Sequence, residues 1–120
     1  MYQAEKAAGY YFTNAELLQL WQNLVDLGGI DINSSVLRPT LVLRWSYSFA
    51  GLKGQSAYLD TNPMGAVGSI IVRWSLENRD KTHYVSGDGF GAIDWDPYPW
   101  NNPANFTNRY PMGAVRWYVH

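Results

Sequence analysis

The chain has two histidines, and one of them stands in a pattern that can do chemistry. His83 opens the run His83-Tyr84-Val85 and precedes Asp96 across the turn Gly87-Asp88-Gly89-Phe90-Gly91. A hairpin closing at those glycines sets its two arms side by side. His83 and a carboxylate at the end of the return arm then become neighbours, the geometry in which Asp96 orients an imidazole through its far ring nitrogen. The plainer reading makes His83 a strand-end residue hydrogen-bonded to backbone. Trp95, Tyr98 and Trp100 gather beside the same corner in a proline-rich stretch. Loop aromatics there suit stacking on sugar rings or gripping a peptide, and a packed hydrophobic lid is the alternative. His120, the other imidazole, reads as a solvated terminus.

Other chemistries fare worse. Cysteine is absent, which removes a disulfide framework, a thiolate zinc site and a cysteine nucleophile. Asp88, Asp94 and Asp96 are close in sequence, but their spacing does not make a calcium-binding loop, so no metal is expected. Gly87-x-Gly89-x-Gly91 follows a strand and leads into another, leaving no helix N-terminus to cradle a phosphate. No cofactor is expected.

The elements that position these residues follow from periodicity. Thr13-Asn14-Ala15-Glu16 has the spacing of a capping box. Leu17, Leu18, Trp21, Leu24 and Val25 then form an apolar stripe, and Gly28-Gly29 supplies a left-handed stop, predicting a helix from Asn14 to Leu27. A short helix over 3–8 precedes it. Beyond Gly29 the period shifts to two: Leu43, Trp45, Tyr47 and Phe49 alternate with polar residues and predict a strand. Further strands are predicted over 70–76, 82–86, 92–95 and 114–119. Trp45, Tyr47, Trp74 and Trp117 are then expected on a sheet face as core. Pro63-Met64-Gly65-Ala66-Val67 recurs as Pro111-Met112-Gly113-Ala114-Val115. Two copies do not make a repeat architecture, and the motif reads as a turn that enters a strand. The expected fold class is α+β, a single domain over 1–120 with an N-terminal helix packed on an antiparallel meander.

Composition bounds the partners. Nine Lys and Arg against ten Asp and Glu give a net charge of -1, without the cationic field of a nucleic-acid or anionic-membrane binder. Six Trp, nine Tyr and four Phe match the charged residues in number, an aromatic load that favours a packed core and contact surfaces. No apolar run approaches the ~20 residues of a membrane span, and no signal-peptide pattern is visible. A soluble, cytoplasmic chain is expected.

One stretch also resembles a known family. Thr82-His83-Tyr84-Val85-Ser86-Gly87-Asp88-Gly89, with Ile93-Asp94-Trp95-Asp96-Pro97-Tyr98, is similar to the C-terminal half of papain-like cysteine peptidases, closest to the bacteriocin-leader-processing type and its phage and bacterial relatives. Arg116-Trp117-Tyr118-Val119 resembles the closing strand of such domains, and the stretch 13–31 resembles their second helix. The resemblance implies a partial papain-like fold, with His83 as general base and Asp96 as orienting carboxylate. It also implies a nucleophilic Cys at the start of the first core helix. Gly9-Tyr10-Tyr11-Phe12 looks like a degenerate copy of that start, with Tyr10 in place of Cys, and a phenol of pKa about 10 is a poor substitute. The expected function is therefore a non-catalytic relative that binds a peptide, glycan or protein partner, with the footprint of the missing helix covered by self-association into a homo-oligomer, by a partner helix or by the N-terminal segment folding back. The alternative is a peptidase or amidase acting on cell-wall or other peptides, its nucleophile supplied by another chain or segment.

Overall fold

The computed structural model describes residues 1–52, 57–77, 82–95, 110 and 112–120. The chain divides into two compact units, Met1–Tyr58 and Leu59–His120. Three helices make up the first and a five-stranded antiparallel sheet the second, so the class is α+β with the helices N-terminal.

In the first unit, α1 (Tyr2–Ala8) ends at Gly9, whose φ of 77° is the left-handed conformation that glycine adopts without strain. Inside this unit the buried Glu5 accepts a hydrogen bond on Oε2 from the Phe12 amide at 2.7 Å. That bond fixes the path from α1 into α2 (Asn14–Asp26). The capping box forms as read: Thr13 Oγ1 accepts from the Glu16 amide at 3.2 Å, and Glu16 Oε1 accepts from the Thr13 amide at 3.0 Å. Leu20 and Leu24 are fully buried, while Leu18 is exposed, so the apolar stripe is narrower than the sequence pattern.

The segment expected as a strand is helical. α3 (Pro39–Phe49) starts with proline at its first turn, where the missing N–H costs no hydrogen bond. Its buried residues are Leu43, Ser46 and Tyr47, the i, i+3, i+4 spacing of one helix face. Ser46 lies inside that face because its hydroxyl donates to the Val42 carbonyl at 2.6 Å. The alternation of Leu43, Trp45, Tyr47 and Phe49 is thus a coincidence of seven residues. A window beginning at Pro39 and including Leu41 and Val42 carries the helical period. Trp45 and Tyr47 consequently leave the sheet: Trp45 is on an exposed side of α3, and Tyr47 is in the helical core. Burial pushes the Tyr47 hydroxyl pKa upward. Both α1 and α2 pack on α3, and Phe12 meets Phe49 edge-on with ring centroids 5.7 Å apart.

The second unit contains β1 (Leu59–Asp60), β2 (Gly68–Trp74), β3 (Thr82–Asp88), β4 (Ile93–Trp95) and β5 (Met112–Val119). Its strand order is β1-β5-β2-β3-β4. Strands β2, β3 and β4 form the expected meander, but β5 returns to lie between β1 and β2 rather than extending the sheet at β4. Alternation along the paired strands puts Ser69, Ile71, Arg73, His83 and Val85 on one face, and Ile70, Val72, Trp74 and Tyr84 on the other. The first face is the drier: Ile71, Val85, Ser69 and Arg73 are all buried. Close approach of β3 to β2 depends on Gly87, where a Cβ would run into Ser69 Oγ.

Candidate functional site

His83 lies on β3 with Arg73 as its direct partner on β2. Arg73 is only 7 % exposed, a low value for an arginine. The ring of Tyr110 lies beside the imidazole, centroid to centroid 6.2 Å and tilted by 42°. The His83 corner thus combines an imidazole, a buried guanidinium and a phenol ring. Both Arg73 and His83 also take part in interactions within the protein, so the corner is a structured polar site rather than a pair of vacant donors.

The hairpin that the glycine turn announces is present. Ser86 pairs with Trp95 and Gly87 with Ile93, with a bulge between the two positions, so β4 ends three residues along β3 from His83. Trp95 therefore reaches this part of the sheet as backbone. Asp96, Tyr98 and Trp100 lie outside the described residues. Among the described residues, the neighbour facing His83 across the ladder is the cation Arg73, a partner that single-strand periodicity does not reveal. It follows from the β2–β3 register, which the pattern along either strand alone does not set.

At the other end of the sheet is a cluster that sequence reasoning missed. His120 is not a solvated terminus: its side chain is 11 % exposed, and Nε2 lies 2.8 Å from Asp60 Oδ1 and 2.7 Å from the Asn62 carbonyl oxygen. Both partners are acceptors, so Nε2 carries the proton and donates. The same Asp60 oxygen accepts from the Asn62 amide at 2.9 Å, and Asn62 Oδ1 accepts from the Met64 amide at 3.0 Å. Two successive side-chain-capped turns thus lead from β1 toward β2. The signal was too small to read, because β1 has two residues and its partner on β5 is remote in sequence.

Asp88 has a comparable local role. Its Oδ1 accepts from the Phe90 amide at 2.8 Å and from the Ala92 amide at 3.0 Å, while its backbone N–H donates to the Ala92 carbonyl at 2.9 Å. This carboxylate is committed to shaping the β3–β4 turn. Among the described residues, no group of three or more His, Asp or Glu side chains is placed to hold a metal ion. No helix among them is long and apolar enough to cross a membrane. On the sheet face away from His83, Tyr84 stacks on Trp117 with centroids 6.3 Å apart, and the Arg116 guanidinium lies 5.2 Å from the Trp117 ring. Trp117 is half-buried, and so is Trp74.

Comparison with protein-family models, with curated proteins and with solved structures finds no match to this chain.

Proposed function

We propose that the chain is a non-catalytic relative of papain-like peptidases, acting as a binding module for a peptide, glycan or protein partner. The observation that carries this reading is the register of β2 and β3, which sets Arg73 rather than a nucleophile opposite His83. Covalent peptide hydrolysis at a papain-like histidine requires a thiolate within hydrogen-bond reach, and the chain contains no cysteine. An aromatic ring beside polar side chains at one sheet corner suits recognition: Tyr110 offers a flat apolar surface next to the half-buried His83, with Arg73 opposite it on β2. Trp95, Tyr98 and Trp100, the aromatic residues that the sequence singles out, are the contacts to test.

The test pairs binding with hydrolysis. The purified chain is applied to peptide and oligosaccharide arrays and, separately, to a quenched-fluorescent peptide library. Expected are a selective ligand, at least tenfold weaker binding in Tyr98→Ala or Trp100→Ala, and no hydrolysis. Hydrolysis by the wild type that vanishes in a folded His83→Ala variant overturns the reading. The peptidase alternative has one observation in its favour. Arg73 puts a positive charge opposite His83, the sign that favours a developing oxyanion if another chain delivers the nucleophile.

A further inference from the structure

β5 pairs with β2 along its length but with β1 only at Tyr118 and Val119. After Asp60 the chain leaves the sheet through a turn in which the Asp60 carboxylate accepts from the Asn62 amide. Among the described residues, no strand pairs with the other side of Met112–Trp117. Exposure agrees: Met112, Gly113, Ala114 and Arg116 are exposed, whereas no residue of β2 is. The β5–β2 register shifts so that Ile70 meets Trp117 and Ile71 meets Val115, which makes Arg116 a bulge and leaves Met112–Val115 as the regular part of the open side. In an antiparallel ladder alternate residues turn their N–H and C=O groups to opposite sides. Every second residue of Met112–Val115 therefore aims both groups away from β2. Natural edge strands are guarded by lysine, proline or an inward-pointing charge. Met112-Gly113-Ala114-Val115 carries none of these, and Gly113 and Ala114 leave room for a second backbone.

Main-chain donors and acceptors repeating at strand spacing are matched by another extended backbone. A helix uses its amides within its own turns, and a glycan has no such repeat. We infer that the open edge of β5 takes up an extended peptide of a partner protein as an added antiparallel strand, in line with β1. A second copy of the chain fits less well. A shared edge of six residues a side falls far short of the roughly 20–30 residues a side of a stable interface, whereas strand addition to an edge is an established mode of peptide capture. Side chains set the preference. Met112 and Ala114 lie opposite Trp74 and Val72, on the face that Tyr84 and Trp117 also occupy, so every second peptide side chain meets an apolar surface. On the other face Gly113 presents no side chain, and the preferred peptide has apolar residues at every second position. This adds a peptide site to the binding module proposed above, across β2 from the first corner: Arg73 pairs with His83 on one side and with Gly113 on the other.

Amide hydrogen exchange is measured on the full chain, free and with a blocked peptide of alternating Thr and Val that carries a Glu at each end. In the free chain, alternate amides of 112–115 are expected to exchange at least tenfold faster than those bonded to β2. The peptide is expected to slow that fast set at least tenfold. A counterpart N-methylated at every residue keeps the side chains but loses the donors, and is expected to leave the fast set unchanged. Tyr98→Ala is expected to leave the protection by the first peptide intact. Uniform protection of 112–115 in the free chain, or no slowing by the peptide at millimolar concentration, overturns the inference. So does equal protection by the N-methylated peptide, which would mean that side chains alone are read. Protection that grows with protein concentration in the absence of peptide would assign the edge to a second copy of the chain, and overturns the inference as well. Peptide binding that depends on Tyr98 and leaves 112–115 unchanged would uphold the His83 corner while overturning the β5 edge.

Discussion

Replacing His120 by alanine tests whether the His120–Asp60–Asn62 cluster ties the end of the sheet together. The imidazole Nε2 donates to a carboxylate at 2.8 Å and to a carbonyl at 2.7 Å from a site 11 % exposed, while Asp60 is 41 % exposed. Fully exposed ion pairs contribute roughly 0.2–1 kcal/mol, and hydrogen bonds to charged groups with less solvent about 1.5–3 kcal/mol. The half-open Asp60 puts its coupling to His120 between these ranges, at about 1 kcal/mol. The His120→Ala variant also loses the Asn62 bond and the packing of a nearly buried ring, for a total of about 2 kcal/mol. A double-mutant cycle with Asp60→Ala isolates the coupling, because the bond from the Asn62 amide to Asp60 is lost on both arms that carry the alanine. Guanidinium unfolding at pH 7.5 gives the four free energies. Hydrogen exchange at Asn62, Met64 and Val67 should accelerate in both single variants, since these amides lie on the tethered turn. A coupling below about 0.3 kcal/mol, or unchanged exchange at the three amides, would refute the reasoning.

Three further outcomes follow from the helical unit. Thr13→Ala removes the hydroxyl that accepts from the Glu16 amide and should destabilise α2 by about 1 kcal/mol, measured by chemical denaturation and followed by helix circular dichroism. Leu24→Ala, at a fully buried position, should cost roughly 2–5 kcal/mol, against a change within about 0.5 kcal/mol for the exposed Leu18→Ala. Burial lowers the Met1 amine from 8.0 to about 6, an effect that the Glu5 carboxylate only partly opposes. Between those values the unfolded chain binds the extra proton, so stability should rise as pH increases from about 6 to 8, by roughly 2–3 kcal/mol in all. Acetylating that amine should flatten the slope, and a slope that survives acetylation would assign it to another group.

Local chemistry was legible where one short segment contains both donor and acceptor. The Thr13/Glu16 capping box, the left-handed stop after α2 and the glycine turn between β3 and β4 each depend on residues a few positions apart. Such interactions form by local geometry whatever the remainder of the chain does. The strand at 68–74 and the closing strand were legible for a related reason, since period-two alternation marks a half-buried surface before its partner is known. Reading 43–49 as a strand failed because seven residues fit both periods, and burial against α1 and α2 selects the helix.

Tertiary structure decided the pairings across the sheet. That β5 inserts between β1 and β2, that Arg73 stands opposite His83, and that His120 closes on Asp60 are all consequences of strand register. Register is a long-range property: it follows from which faces are buried together, and no residue carries it alone. The close approach of Gly89 to the Ala66 carbonyl has the same origin, since only the alignment of the strand ends at Gly68 and Asp88 brings those two backbone stretches together. The amino-acid sequence by itself determined the class of the fold, the helix caps and the absence of a thiol nucleophile. The strand register then decided which side chains meet, because that choice is made by burial summed over the whole sheet.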